Sequence, residues 1–218
     1  MLKYIKLAFK KPYLIRDAFY KRHVGLILSC NIKDYMAFNK NNIPVNHNKY
    51  KFQISKDVEQ IYNFYQKMGR SSITREKISE WLQDGHHCWL AILDGKVVGG
   101  LWIFFGQVTI NTLSLRVLSK NKTIMFDKDT GYKGYVIIDP NYRGQGIYKL
   151  LNDYIMHYYY KNESIENILL IRGVSNGPVI RTIMNSYGRL VGIVEVRNIM
   201  GKVVRKELFI DQKEKTWK

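Results

Sequence analysis

The residues best equipped to do chemistry lie in one run, Val136-Ile137-Ile138-Asp139-Pro140-Asn141-Tyr142-Arg143-Gly144-Gln145-Gly146-Ile147-Tyr148. It reads as an apolar strand, a Pro-Asn turn, a glycine-bearing loop and the start of a helix. A loop of this kind presents unpaired backbone N–H groups at the positive end of a helix dipole, which suits a phosphate or pyrophosphate. Gly144 and Gly146 remove the Cβ atoms that would hold such an anion away from the backbone. The same glycines would also serve a simple tight strand-to-helix turn.

These residues need elements to hold them. Behind the loop, Ile147, Leu150, Leu151, Tyr154, Ile155 and Tyr158 recur with helical period, predicting a helix over 144–160. Ahead of it, Lys51-Phe52-Gln53-Ile54 reads as a strand. Ser55 is placed to cap a helix carrying Val58, Ile61, Tyr62 and Tyr65, and Ser72 or Thr74 to cap a second one through Ile78 and Trp81. Strands 88–93 and 97–105 flank Asp94-Gly95, a strong hairpin signal. A further strand pair falls within 108–127, and then strands at 132–138 and 166–173. A helix beginning near Asn176 and closing strands around 190–198 and 202–210 complete the order.

The segment Arg143-Gly144-Gln145-Gly146-Ile147-Tyr148 resembles the acyl-CoA-binding loop of the GCN5-related N-acetyltransferase (GNAT) superfamily, Gln/Arg-x-x-Gly-x-Gly/Ala, with Tyr148 departing from the small residue at its last position. Asn176-Gly177-Pro178-Val179-Ile180-Arg181, followed by Tyr187-Gly188, resembles the family's Asn-x-x-Ala/Ser segment. Asn176 is equally placed to cap its own helix, with Pro178 in the first turn. The resemblance runs from about residue 48 to the end. It implies an α/β GNAT fold, whose mixed, mostly antiparallel central sheet is splayed between strands 132–138 and 166–173 and flanked by helices. It divides the chain into a basic extension, 1–47 (a helix and a short strand at 23–29), and an acyltransferase domain, 48–218, after the polar segment 39–48.

The same resemblance implies the chemistry. Acetyl-CoA or another acyl-CoA would be co-substrate, with no metal. Pantetheine would pair with Val136, Ile137 and Ile138 like an added strand, a backbone N–H there would polarise the thioester oxygen, and Arg143, Gly144, Gln145, Gly146, Ile147 and Tyr148 would hold the pyrophosphate. Asn176 would sit near the pantetheine arm. Many members place a tyrosine about seven residues after the asparagine; Ile183 stands there, so Tyr187, one turn later, is the candidate general acid. Asp139, Glu166, Glu195, His86 and His87 are conceivable bases, and none is assigned; His86-His87 also reads as a polar turn. The activity implied is N-acetyl transfer to a primary amine of a small molecule by direct attack in a ternary complex. The alternatives are transfer of a longer acyl or aminoacyl group to a cell-envelope or lipid-linked acceptor, or a binding module that keeps the fold without catalysis.

Composition narrows the partners. The 218 residues carry 35 Lys+Arg against 18 Asp+Glu, net +17. That favours anionic partners, or else is a dispersed, solvated lysine surface. Eight of the seventeen net charges fall in residues 1–50, so the stretch 1–22 could touch an anionic membrane surface or pack on the core. No nucleic-acid reading motif is present. Two cysteines, Cys30 and Cys88, make neither a disulfide framework nor a metal-ligand spacing, and point to a reducing cytoplasm; the resemblance implies a bacterial cytoplasmic enzyme, and the basic stretch 1–22 would at most bring it to the membrane surface. Cys88 reads as a small core residue. The uncharged run 97–115 contains three glycines and several polar residues, unlike a membrane span.

Overall fold

Asp94 and Gly95 adopt left-handed backbone (φ 48° and 74°), as a two-residue turn between twisted strands demands, and join β3 (His87–Leu93) to β4 (Lys96–Phe105). The computed structural model describes residues 20–39, 49–109, 123–125, 127–162, 165–173, 188–199 and 202–209. In chain order the other elements are β1 (Tyr20–Asn31), α1 (Ile32–Phe38), β2 (Lys51–Ser55), α2 (Val58–Lys67) and α3 (Arg75–Gln83) ahead of that hairpin. After it come β5 (Gln107–Thr109), β6 (Thr123–Met125), β7 (Thr130–Ile138), α4 (Ile147–Asn162), β8 (Asn167–Gly173), β9 (Gly188–Ile199) and β10 (Lys202–Phe209).

Eight strands form one sheet in the order β10-β9-β1-β8-β7-β4-β3-β2, and β5 pairs with β6 apart from it. Every pairing in the large sheet is antiparallel except β7 with β8. The strand read at 23–29 is longer than its apolar heart and sits inside this sheet, between β8 and β9. It pairs with all seven residues of β8, from Gly25↔Gly173 to Asn31↔Asn167.

Alternation along β4 sorts the core. Trp102 and Phe104 face α2 and α3, where Ile61, Phe64, Tyr65, Ile78 and Trp81 are buried. Leu101 and Ile103 face α4 and α1, with Ile147, Leu151, Ile155, Met156 and Tyr159 beside Tyr35 and Met36. Cys88 is a fully buried core residue on the first of these faces.

Three local expectations change. The cap of α2 is Asp57, whose carboxylate accepts the Gln60 N–H at 3.0 Å; Ser55 ends β2, and its hydroxyl accepts the Asp57 N–H at 3.2 Å. Asp57 wins because it immediately precedes the first helical residue with extended backbone. At α3 the cap is Thr74. Helix α4 begins at Ile147, not 144, since Gly144 and Gly146 have φ of 78° and 73° and cannot be helical. Its buried seam also turns: Ile147, Leu151, Ile155 and Tyr159 point inward, while Tyr154 is exposed and lies against Phe52.

Candidate active site at the parting of β7 and β8

Strands β7 and β8 start together and separate. Their parallel pairing covers only Thr130↔Asn167, Gly131↔Ile168 and Tyr132↔Leu169. From Lys133 to Ile138 β7 keeps its bonds to β4 but has no described pairing on the β8 side, so its residues 135–138 are half-buried in an open cleft. The far lip of that cleft is stiffened by β1, which holds β8 along its whole length.

The near lip carries an irregularity. Gly100 pairs with Ile137 and Trp102 with Gly134, so Tyr135 and Val136 together oppose Leu101. Two residues against one is a β-bulge, which re-aims the backbone beside it. Tyr135 takes φ 49°, a strained value for a bulky residue. Tyr65, fully buried on α2, donates its hydroxyl to the Tyr135 carbonyl at 3.0 Å and holds this conformation in place. Burial pushes the Tyr65 phenol well above its ordinary pKa, so it remains a donor.

At the open end, Asp139 fixes the loop. Its backbone N–H donates to Val98 O at 2.9 Å, and its carboxylate accepts the Asn141 N–H and the Lys67 ammonium, each at 3.0 Å. The carboxyl is only 1% exposed, and the Asn141 N–H, helped by Lys67, holds its pKa below the usual carboxylate range. A 3₁₀ turn, Pro140–Tyr142, follows. Arg143 then folds back so that its Nε donates to the Ile138 carbonyl at 3.3 Å. Gln145 is pinned from the other side: its Oε1 accepts from the Tyr50 hydroxyl at 2.9 Å and from Lys49 Nζ at 3.4 Å. Apart from their chain neighbours, no atom of the described residues lies within 4 Å of where a Cβ on Gly144 or Gly146 would stand. Positive φ, rather than crowding, requires glycine at both, and the space above them is open to a ligand. The first turn of α4 then offers its unpaired N–H groups to that space.

The structure therefore brings Val136, Ile137, Ile138, Arg143, Gly144, Gln145, Gly146, Ile147 and Tyr148 to one cleft mouth, with Ile147 buried beneath it as packing and the Tyr148 ring 5.7 Å from Lys133 Nζ. Tyr187 and Asn176 lie outside the described residues. Of the conceivable bases, Asp139 is committed to the loop. His86 and His87 are not a polar turn. His86 is buried, its Nδ1 accepting the Phe105 N–H at 3.3 Å, and His87 enters β3 with its Nδ1 2.8 Å from the Tyr159 hydroxyl. Glu166 is a surface residue 3.7 Å from Lys33. Sequence reading missed Tyr65, Lys67, Tyr50 and Lys133; the last had a signal, as a lone charge in the otherwise uncharged strand 130–138.

A cleft between parting parallel strands, a bulge on one lip and a glycine loop at its mouth define a class, and the sequence agrees: residues 55–188, more than half of the chain, match the Acetyltransferase (GNAT) family. The chain belongs to that family. No curated protein matches it. The fold is shared with a tandem GNAT protein from the clavulanic acid biosynthesis pathway (TM-score 0.57, 15% identity, 88% of this chain and 59% of that one). It is shared as well with a conserved protein of unknown function from Staphylococcus epidermidis ATCC 12228 (0.55, 10%, 85% and 64%). A GCN5-related glucosamine N-acetyltransferase region in a fungal multi-domain GH3 β-N-acetylglucosaminidase is similar too (0.53, 12%, 88% and 23%). At such identities the likeness is one of fold. The chain spans about six-tenths of the length of the first two of these proteins.

Proposed function

We propose that the protein is an acyl-CoA-dependent N-acyltransferase that moves an acetyl group from acetyl-CoA to a primary amine of a small molecule. The observation that carries this reading is the opening of β7 from β8 at Lys133, with the bulge at Tyr135 and the glycine loop at the two ends of the exposed strand edge. The pyrophosphate would rest on the N–H groups of Gly144 to Tyr148, assisted by Arg143. Pantetheine would lie along Val136 to Ile138, using the strand edge that β8 leaves free, as an added strand does.

The amine attacks the thioester carbonyl carbon, the C–N bond forms as the C–S bond breaks, and the thiolate leaves with a proton while the nitrogen sheds one. A free lysine-like amine has pKa ~10.4, so presenting it neutral at pH 7 costs roughly 4.6 kcal/mol, which a desolvated cleft or a base must offset. Holding both reactants in one cleft supplies much of the remaining acceleration. A backbone N–H beside the bulge is suited to polarise the thioester oxygen. Tyr187 is the proposed donor to the thiolate and Asn176 the proposed partner of the pantetheine arm.

Calorimetry with acetyl-CoA tests this, on wild type and Gly146→Asp. Aspartate adds a side chain, a negative charge and a strained φ where the pyrophosphate would sit, so binding should fall by roughly a hundredfold or more (two unfavourable changes of ~1.5 kcal/mol each), with thermal melting confirming a folded variant. Equal binding in both proteins, or no binding of acetyl-CoA, coenzyme A or a longer acyl-CoA by wild type, would sink the reading. An amine panel with acetyl-CoA then identifies acceptors.

A further inference from the structure

Behind the glycine loop lies a second feature that acyl-CoA recognition by the loop does not use. A cavity of about 70 Å³ opens between α1, α4, β1, β7 and β8, lined among others by Cys30, Tyr35, Lys133, Tyr148, Asn152 and Asp153. Lys133 is 4% exposed, at the point where β7 leaves β8. Its ammonium has three hydrogens to place. One goes to Asn152 Oδ1 at 2.5 Å, and the Tyr148 ring lies 5.7 Å away. Among the described residues no carboxylate stands within ion-pair distance of it.

The nearest acid of the cavity is already taken. Asp153 accepts the Tyr35 hydroxyl and the Lys149 ammonium, the latter at 2.7 Å. Burial pushes the Cys30 thiol up to about 11 and the Tyr35 phenol well above its ordinary value, so both line the cavity as neutral groups. The charged side chains here are two lysines against one aspartate. A buried ammonium is costly unless something of opposite charge completes it, and the empty volume lies directly beside it.

We propose that this cavity binds a small oxyanion, a carboxylate or phosphate group, with Lys133 as its counter-ion. Two sources deliver that chemistry. One is a free ion such as phosphate or a short dicarboxylate. The other is the terminal carboxylate of an acyl chain carried along β7, since Lys133 stands five residues before Ile138, roughly 16 Å down the strand from the glycine loop. The second source rests on the acyl-CoA reading; the first does not.

The full-length protein and two variants, Lys133→Met and Lys133→Gln, separate the outcomes. Lys133→Met removes the desolvation cost of the ammonium, Lys133→Gln keeps a donor for Asn152 Oδ1, and melting curves without ligand verify folding of both. Thermal shift and calorimetry with sodium phosphate and sodium succinate, against sodium chloride at matched ionic strength, read the free-ion source. The expected result is a dose-dependent rise in the melting temperature of wild type, and roughly ten- to hundredfold weaker binding in both variants, the value of a charged hydrogen bond. Calorimetry with succinyl-CoA against acetyl-CoA reads the acyl source: wild type should prefer succinyl-CoA roughly tenfold or more, and Lys133→Met should lose the preference. If neither free anions nor succinyl-CoA distinguish wild type from the variants, the cavity holds only water and the proposal is overturned. Failure of every acyl-CoA to bind would overturn the transferase reading, and the free-ion result would then decide the cavity by itself.

Discussion

The two faces of the sheet at the parting of β7 and β8 are built by opposite means. Under α2 and α3 the face is aromatic: the Trp81 ring lies 4.9 Å from Trp102, 5.1 Å from Phe104 and 5.0 Å from Tyr135, in edge-on and tilted contacts. From this side the Tyr65 hydroxyl donates to Tyr135 O at the bulge. Under α4 and α1 the corresponding depth holds Lys133, Asn152, Asp153 and Tyr35 in a hydrogen-bonded chain around a cavity. Dispersion and area burial fix the first face in one arrangement. The second keeps buried polar groups and empty volume, which stabilise poorly and serve recognition better. One strand thus has an aromatic wall behind its bulge and a polar, cavity-bearing floor on its other side.

The contrast can be broken at its strongest point. Trp81→Ala removes the hub of the aromatic face and should lower stability by about 3–5 kcal/mol in urea denaturation, whereas Lys133→Met on the opposite face should leave stability unchanged or raise it. Equal losses would mean the faces do not differ in kind. Tyr35→Phe takes one partner from the buried Asp153 carboxylate and should cost about 1–3 kcal/mol, read by the same denaturation. Asp139→Ala, at the rim between the faces, removes the cap of the 3₁₀ turn and the partner of Lys67 and should cost about 0.5–2 kcal/mol. It should also weaken acetyl-CoA binding, because the loop loses its anchor.

Titration gives the smallest effects. The folded pKa of Asp139 lies below its unfolded value, so its contribution is complete above about pH 4 and is lost as pH falls through the folded value. The Asp139→Ala difference should therefore shrink only in that acid window. His86 and His87 turn to opposite faces, and burial depresses both. Their sign is the reverse of a histidine with an anionic partner. As pH drops below about 6.5 the unfolded chain takes up protons that the folded one refuses, so stability falls with pH until the folded values are reached. Chemical denaturation at pH 7.5 and 5.5, for wild type and a His86→Gln, His87→Gln double variant, checks this: the variant should show the weaker pH dependence.

How much of this was legible in the residues varies by element. The Asp94-Gly95 hairpin and the glycine loop could be read directly, since positive φ selects residue type within two or three positions. The order of the described strands and helices from residue 51 onward followed from periodicity, with helix starts displaced by two and three residues where Asp57 outcompeted Ser55 and where Gly146 delayed α4; the helix expected near Asn176 lies outside the described residues. The seam of α4 was misjudged at Tyr154, because a tyrosine counts as apolar in a periodic pattern whether it meets a core or solvent.

Partner choice was beyond such local signals. Nothing in Tyr20–Asn31 says that it will enter the sheet between β8 and β9, or that it will hold the far lip of the cleft, because strand pairing depends on what else remains unpaired when the sheet closes. Lys133 was passed over in the sequence although it is the lone charge of its strand, and only its position against α4 and β8 makes it a buried cation beside a cavity. The sequence by itself determined the turns, the caps within a residue or two, and the glycine loop between a strand and a helix, all of which depend on neighbours along the chain. The tertiary structure decided where β7 parts from β8, which face is filled by aromatic rings and which side chains surround Lys133, since those follow from contacts between separate strands and helices rather than from neighbours along the chain.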